Sequence, residues 1–172
     1  MRIKVRVLIL SIAGLATLLV LPVRAEGTPE ISKEQLGAIS QSCDSIKQSL
    51  KKLQKADTKT RSYLGGIYED FLTDFISPLN LRLVKNSLPS PTLTSLHSDL
   101  INKRQDFAQK FTLYAQSLDA LLAVDCQNNP NEFYTKLLET RKARNTLEQS
   151  VEAVRMLLEK YQNAVQALKE DL

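Results

Sequence analysis

Two cysteines and one histidine are the residues of this chain best suited to ligation, nucleophilic attack or proton transfer. Cys43 and Cys126 are 83 residues apart, and His97 lies between them. A structural zinc site needs four closely grouped ligands, which these three residues cannot supply. His97 directly follows an apolar position of a predicted helix, so it should face solvent or the end of the fold. We therefore expect no metal and no cofactor.

Acidic and hydroxyl side chains show no catalytic pattern either. The pairs Glu69–Asp70 and Glu170–Asp171 lack the interleaved oxygen ligands and the glycine of a calcium-binding loop. No Gly-x-Ser-x-Gly turn presents a serine nucleophile, and no histidine or carboxylate is spaced to meet an orienting partner. We expect a protein that is not an enzyme.

The first 25 residues have the layout of a secretory signal peptide. Basic residues precede an apolar run, and Val23 and Ala25 occupy the two small-residue positions before a cleavage site. We expect cleavage between Ala25 and Glu26. A retained membrane anchor is the alternative, because the apolar run is only slightly shorter than the roughly 17 to 25 residues that span a bilayer. Either way, residues 26–172 lie outside the cytoplasm, since the basic end stays inside.

The net charge of +4 belongs entirely to this leader. Four of the 23 basic residues precede Glu26 and no acidic residue does, so 19 basic residues remain against 19 acidic ones. A neutral chain lacks the basic surface that phosphate backbones select. We therefore expect no nucleic-acid partner.

Outside the cytoplasm, the two cysteines have a structural interpretation. An even number of cysteines in an exported chain favours a disulfide, so we expect a bridge between Cys43 and Cys126. The alternatives are two free, buried thiols or a link between two chains.

Apolar residues recur at alternating steps of three and four after the leader, which predicts an all-α fold. Helices are expected at about 32–76, 92–125 and 130–170, with connections at 77–91 and 126–129. Ser32 and Gln35 form a capping box at the first start, and Asn129 with Pro130 marks the last. Pro78 is expected to stop or kink the first helix.

The cysteines indicate how the first two helices pair. Cys43 lies 33 residues before Ile76 and Cys126 lies 34 residues after Thr92, so both sulfurs are roughly 50 Å from the turn. This agreement predicts an antiparallel hairpin, with the start of the first helix extending beyond Cys43. The third helix returns parallel to the first. The expected fold is a long antiparallel three-helix, coiled-coil-like bundle (up-down-up), preceded by the signal helix.

The same register brings polar residues to one level. Asp57 lies level with Arg144, both at core positions, so we expect an ion pair that sets register more than it adds stability. The Gly65–Gly66 pair lies level with Lys103. At that point one three-residue step in the apolar pattern of the second helix is replaced by a step of four. We expect a tight backbone approach or a kink there. The alternative is an opening beside Arg104 that receives a partner's side chain.

The connection at 77–91, which we call the tip, is unusually apolar for a loop. Its candidate partner-binding residues are Leu79, Leu81, Arg82, Leu83 and Lys85. One interpretation is that the tip folds back over an aromatic cluster formed by Phe71, Phe75 and Ile76. The other is an exposed apolar surface for a protein or a membrane, with the two basic residues suited to anionic headgroups or to solvent.

These features predict an exported, non-enzymatic structural or interaction protein. A protein partner in the cell envelope is the leading expectation. The alternatives are a membrane-surface protein, in contact through the tip or a retained N-terminal segment, and a chaperone-like protein whose apolar seams assemble into an oligomer. In outline the chain resembles secreted helical hairpins such as periplasmic chaperones and the coiled-coil regulatory segments of cell-wall hydrolases, a likeness of fold and compartment alone.

Overall fold

The computed structural model describes residues 31–88 and 90–170, in which all regular structure is helical. The elements are α1 (Lys33–Gln41), α2 (Cys43–Asp70), a π-helical turn (Phe71–Ile76), α3 (Ser77–Lys85), α4 (Pro91–Ala123) and α5 (Pro130–Glu170). The predicted all-α class is confirmed. The signal peptide expected at residues 1–25 lies outside the described residues. No helix in the described part is long and apolar enough to cross a membrane.

Antiparallel pairing organises the bundle. α4 packs along α5, and α2 also packs against α4. Contacts between α2 and α4 run in opposite chain order, since Gln54 donates a hydrogen bond to Asp119 whereas Tyr68, later in α2, packs on Phe107, earlier in α4. The chain therefore reverses direction between α2 and α4.

The expected disulfide is confirmed. The Cα atoms of Cys43 and Cys126 are 5.5 Å apart, and both residues are buried. The bridge ties the first residue of α2 to the connection between α4 and α5. A structural disulfide points to an oxidising compartment outside the cytoplasm.

Two buried clusters form the core. The cluster at the disulfide end contains Cys43, Phe111, Tyr114, Leu118, Leu121, Val124, Cys126 and Phe133. The cluster at the tip end contains Tyr68, Leu72, Ile76, Leu83, Leu93, Leu100, Phe107, Val154 and Tyr161. Cys43 and Tyr68 are the only buried residues of α2. The helix is thus buried near its two ends and half-exposed between them.

The first helix is not continuous, contrary to expectation. Ser42, with φ −100° and ψ 11°, separates α1 from α2. Instead of extending beyond the disulfide, α1 packs against α5, and Ile39 joins the cluster at the disulfide end. The Ser40 hydroxyl also donates to the Gln127 carbonyl at 3.0 Å. The break lets α1 cover part of an apolar face that a straight extension would leave in water.

The connection expected at 77–91 is wrong in extent, because the chain stays helical through Pro78 to Lys85. A proline inside a helix donates no N–H, and its ring clashes with the carbonyl four residues earlier. The π-helical turn relieves this conflict by widening the helix just before the proline. There the N–H of Ser77 donates to the carbonyl of Leu72, five residues back. Pro78 therefore neither stops the helix nor starts a loop.

The π-helical turn also changes which residues face the core. Tyr68, Leu72 and Ile76 are buried at successive steps of four, a spacing that drifts by about 40° per step around a 3.6-residue helix and stays better aligned where the turn is wider. Phe71 and Phe75 are 43% and 64% exposed. The expected aromatic cluster beneath the tip is therefore wrong, because only its third member, Ile76, points inward.

α3 ends in a Schellman turn. The N–H of Leu88 donates to the Leu83 carbonyl at 2.9 Å, and the N–H of Ser87 donates to the Val84 carbonyl at 3.1 Å. Ser87 has φ 56°, the left-handed region that glycine usually occupies at this position. The turn ends the helix here, seven residues beyond Pro78, and leads the chain to α4.

Candidate interaction surface at the tip

The tip is divided between packing and exposure. Leu83 is buried and Leu79 packs against the cluster at the tip end, whereas Leu81 is 56% exposed. Arg82 and Lys85 are both exposed. One face of α3 therefore covers the end of the bundle, while the opposite face is open to a partner.

An apolar patch lies on the π-helical turn and the tip. Nine large apolar side chains are exposed among the described residues, and five of them fall between positions 71 and 88. We define these five as the apolar patch: Phe71, Phe75, Leu81, Val84 and Leu88. The rings of Phe71 and Phe75 contact each other, with centroids 5.7 Å apart. Scattered apolar side chains need no explanation, whereas five within 18 residues make this segment the candidate interaction surface.

Charges around the apolar patch are mixed. Arg82 and Lys85 form no ion pair within the described part of the chain, and no acidic residue occurs between positions 75 and 98. On the π-helical side, however, Asp70 and Asp74 directly precede the two phenylalanines. The patch thus has a basic edge and an acidic edge.

Hydrogen bonds hold the inner side of α3 in place. The Asn80 amide donates to the Ile76 carbonyl at 3.0 Å and to the Tyr161 hydroxyl at 3.2 Å. The Ser77 hydroxyl lies 3.1 Å from Nε2 of His97, which is half-buried rather than in solvent. Burial raises the pKa of Tyr161, so its phenol remains neutral at ordinary pH. These bonds tie α3 to α4 and α5 and thereby orient the apolar patch.

The ion pair expected between Asp57 and Arg144 lies within a cluster of three residues. Arg144 Nη2 is 3.7 Å from Asp57 Oδ1, and the Tyr114 hydroxyl donates to Asp57 Oδ2 at 2.6 Å. The Arg144 side chain is 44% exposed, so it does not occupy the core position expected from the heptad pattern. Burial, and then the Asp57 carboxylate, raise the pKa of Tyr114. The sequence analysis did not name Tyr114 as a partner of Asp57. The antiparallel register could have predicted this contact, because it places the two residues at about the same level.

An open cleft lies beside this cluster, between α2, α4 and α5. The Arg61 guanidinium lies 4.4 Å from the centroid of the Phe111 ring, and Glu148 also lines the cleft. Two basic and two acidic side chains line it in total, so their formal charges balance. Asp57 is shared between the Arg144 guanidinium and the Tyr114 hydroxyl, which links α2 to both α4 and α5. The arrangement suits a structural role.

The tight approach expected at Gly65–Gly66 is wrong. A Cβ atom at either glycine would meet nothing within 4 Å, and α2 passes through both without a break. Gly65 instead borders an open groove between α2 and α4, lined by Arg104 and Phe107. Arg104 pairs with Glu69 at this level. The groove matches the alternative of an opening beside Arg104.

Known proteins give no guide to these surfaces. No known protein family matches the chain, and no curated protein or solved structure is significantly similar to it. Within residues 31–88 and 90–170, no group of three or more histidine, cysteine or acidic side chains is placed to hold a metal ion. The functional argument therefore rests on the geometry of the chain itself.

Proposed function

We propose that this protein is an exported, non-enzymatic interaction protein of the cell envelope that binds a protein partner through its tip. The apolar patch is the observation that carries the proposal. Its five side chains are exposed on helices whose opposite face is packed and hydrogen-bonded, so the surface is already formed before a partner arrives. Preformed surfaces lose little conformational entropy on binding.

Export belongs to the same proposal. The signal-peptide layout of residues 1–25 directs the chain across a membrane, where the disulfide forms and persists. The mature protein is then a coiled-coil-like rod of three helical layers, running up, down and up, with the tip at one end. A rod of this kind holds a binding surface away from its other end.

The mixed charge around the apolar patch favours a protein partner over a lipid surface. Arg82 and Lys85 suit anionic headgroups, each with about 1 kcal/mol of attraction near a membrane. Asp70 and Asp74, however, lie beside Phe71 and Phe75 and would be pressed against the same headgroups. A protein surface can complement both edges, which a uniformly anionic bilayer cannot.

Photo-crosslinking in the exporting host tests the proposal. A photo-reactive amino acid replaces Val84 in the apolar patch or, as the matched control, Met156, an exposed apolar residue of α5. We expect a discrete protein adduct from position 84 that is absent from position 156. Adding Leu81→Glu should suppress it, because a charge would be buried at the contact. Equal or absent adducts at the two positions would contradict the proposal.

Vesicle flotation tests the alternative that the tip binds a membrane instead of a protein. The purified, exported protein is mixed with vesicles containing phosphatidylglycerol, and with neutral vesicles as a control. We expect it to remain in the unbound fraction. Flotation with anionic vesicles alone, abolished by replacing Arg82 and Lys85 with glutamine, would show that the tip binds lipid and that the protein-partner proposal is wrong.

A further inference from the structure

The solvent-facing side of α2 carries a concentration of lysines. We define these four exposed residues as the lysine row: Lys51, Lys52, Lys55 and Lys59. Three of them follow one another at steps of four residues, which keep side chains on one side of a helix with a drift of about 40° a step. Leu50 packs into the core from the opposite side of α2. The lysine row therefore points into solvent along about 12 Å of the helix.

No acidic side chain balances the lysine row. None of its members forms an ion pair within the described residues. Between positions 45 and 68 there are six basic residues, and the only acidic one is Asp57, which bonds to Tyr114 and Arg144 on the inner side of α2. The equal totals of 19 basic and 19 acidic residues after position 25 therefore conceal a basic region on α2.

The lysine row opposes the stability of its own helix. Like charges four residues apart destabilise a helix, whereas opposite charges at that spacing stabilise it. The surface of α5 has the stabilising arrangement, since Arg155 is held there between Glu152 and Glu159. Only two of the 28 residues of α2 are buried, so little packing offsets the repulsion. The anions that would balance the lysine row must come from outside the chain.

An exposed aromatic ring continues the lysine row. Tyr63 follows Lys59 by four residues and is 69% exposed, the most of the nine exposed large apolar side chains in the described part of the chain. Single-stranded polyanions are bound by surfaces of this composition, because basic residues follow the charged backbone while aromatic rings stack on its ring-shaped units. From Lys51 to Tyr63 this surface extends for about 18 Å.

We propose that the lysine row and Tyr63 bind an acidic polysaccharide of the cell envelope. The row is complementary in charge to a polyanion, and the tyrosine ring is complementary to a polymer of ring-shaped units. Export brings the surface among envelope polymers rather than nucleic acids. A bilayer fits less well, because the exposed positions between Lys51 and Lys59 carry no large apolar side chain of the kind that interfacial helices insert.

This inference goes beyond the proposed function, because it assigns a second surface and another class of ligand. The lysine row lies in the middle of α2, whereas the apolar patch lies on the π-helical turn and the tip. Only export is common to the two proposals. A polysaccharide held along α2 would retain the protein in the envelope while the tip stays free for its protein partner.

Heparin, an acidic polysaccharide, is the probe for this surface. Its binding to the exported, disulfide-closed protein is measured by fluorescence anisotropy at several salt concentrations. We expect a dissociation constant of about 1 to 100 µM near 0.15 M salt. The logarithm of the affinity should fall with that of the salt concentration with a slope of about 3, because each lysine contact releases counterions. No binding, or binding independent of salt, would overturn the proposal.

Two triple variants of equal net charge test the position of the site. The first removes the three lysines in line: Lys51→Gln, Lys55→Gln and Lys59→Gln. The control removes three exposed lysines of α5: Lys142→Gln, Lys160→Gln and Lys169→Gln. The first should weaken heparin binding at least tenfold and lower the slope by about 2, and the control should change the affinity less than twofold. Equal weakening by both variants would show that net charge alone attracts heparin.

Urea unfolding of the first triple variant excludes a structural role of the lysine row. The variant should unfold at an equal or higher urea concentration than the wild type, because repulsion along α2 is removed. Unfolding at a lower concentration would show that the row serves the fold, and would overturn the proposal.

Tyr63→Ala separates stacking from charge. It should weaken heparin binding at least fivefold and leave the salt slope unchanged, because it removes a ring and no charge. Unchanged affinity would refute a polymer of ring-shaped units as the ligand. Tighter binding of duplex DNA than of heparin, or flotation with anionic vesicles that the first triple variant abolishes, would replace the polysaccharide and overturn the proposal. Leu81→Glu should leave heparin binding unchanged, so failure of this proposal is distinguishable from failure of the proposed function.

Discussion

Opening the Cys43–Cys126 disulfide should cost this protein a large part of its stability. The bridge closes a loop with a sequence separation of 83 residues. The chain-entropy relation gives about 4.5 kcal/mol for a loop of this length, from the freedom that the unfolded chain regains. A typical domain has a total unfolding free energy of about 5 to 15 kcal/mol, so the expected loss is a substantial fraction of it.

The loss should appear first in α2. Its fully buried residues are Cys43 and Tyr68, and the disulfide end of the stretch between them is held by the partly buried side chains of Ile46 and Leu50 and by polar contacts such as that between Gln54 and Asp119. Without the bridge, this end keeps only those partly buried and polar contacts. Amide hydrogen exchange between positions 43 and 64 should therefore accelerate more than exchange in the middle of α5.

Urea unfolding and hydrogen exchange of three samples provide the assay. The samples are the oxidised protein, the same protein after reduction, and a variant with both cysteines replaced by serine. Reduced wild type is the matched control, because it keeps both buried sulfur atoms and loses only the covalent link. A reduction in unfolding free energy below about 1 kcal/mol, or unchanged exchange in α2, would refute the reasoning, since native disulfides usually contribute about 2 to 5 kcal/mol.

Three further predictions concern single side chains. Ser87→Gly should raise the unfolding free energy measured in urea by about 1 kcal/mol, because φ 56° strains a residue with a Cβ atom. Ser87→Ala, which keeps the Cβ atom, is the control. A lower unfolding free energy in the glycine variant would contradict the prediction. Tyr114→Phe should cost about 1.5 kcal/mol at pH 7 through the hydrogen bond lost to Asp57. Because the folded state raises the pKa of Tyr114, this tyrosine loses its proton first in the unfolded state as the pH rises above about 10. The unfolding free energy of the wild type should therefore fall there, and that of Tyr114→Phe should fall less. An equal fall of the unfolding free energy with pH in both proteins would contradict this. In double-mutant cycles, Asp57→Ala should couple to Arg144→Ala by less than about 1 kcal/mol, since that pair is 3.7 Å apart and partly exposed. The coupling energy between Asp57→Ala and Tyr114→Phe should be larger. The reverse order of the two coupling energies would refute Tyr114 as the main partner of Asp57.

Features that depend on local pattern were predictable from the sequence. The capping box was expected, and the Ser32 N–H indeed donates to the Gln35 side chain at 3.0 Å, while the Gln35 N–H donates to the Ser32 hydroxyl at 3.2 Å. The all-α class and the disulfide were equally accessible, because helical periodicity and cysteine count are properties of the chain alone. The antiparallel pairing of the first two long helices was also expected, although its premise that Pro78 ends the first helix was wrong.

Features that depend on tertiary packing were not predictable in this way. A break at Ser42 has no strong sequence signal, and it is favoured because α1 can then pack the partly buried Ile39 against the disulfide-end cluster. Pro78 usually ends a helix, but the π-helical turn before it preserves helical continuity. This turn also shapes the candidate site, because it exposes Phe71 and Phe75, which are two of the five side chains of the apolar patch.

The central claim is that this chain is exported, cleaved and closed by a disulfide before it presents its tip. Intact-mass analysis of the protein isolated from its host, after alkylation without reduction, tests this most directly. The account predicts a chain that begins at Glu26 and takes up no alkyl group. A chain that begins at Met1 and is alkylated at both Cys43 and Cys126 would contradict it.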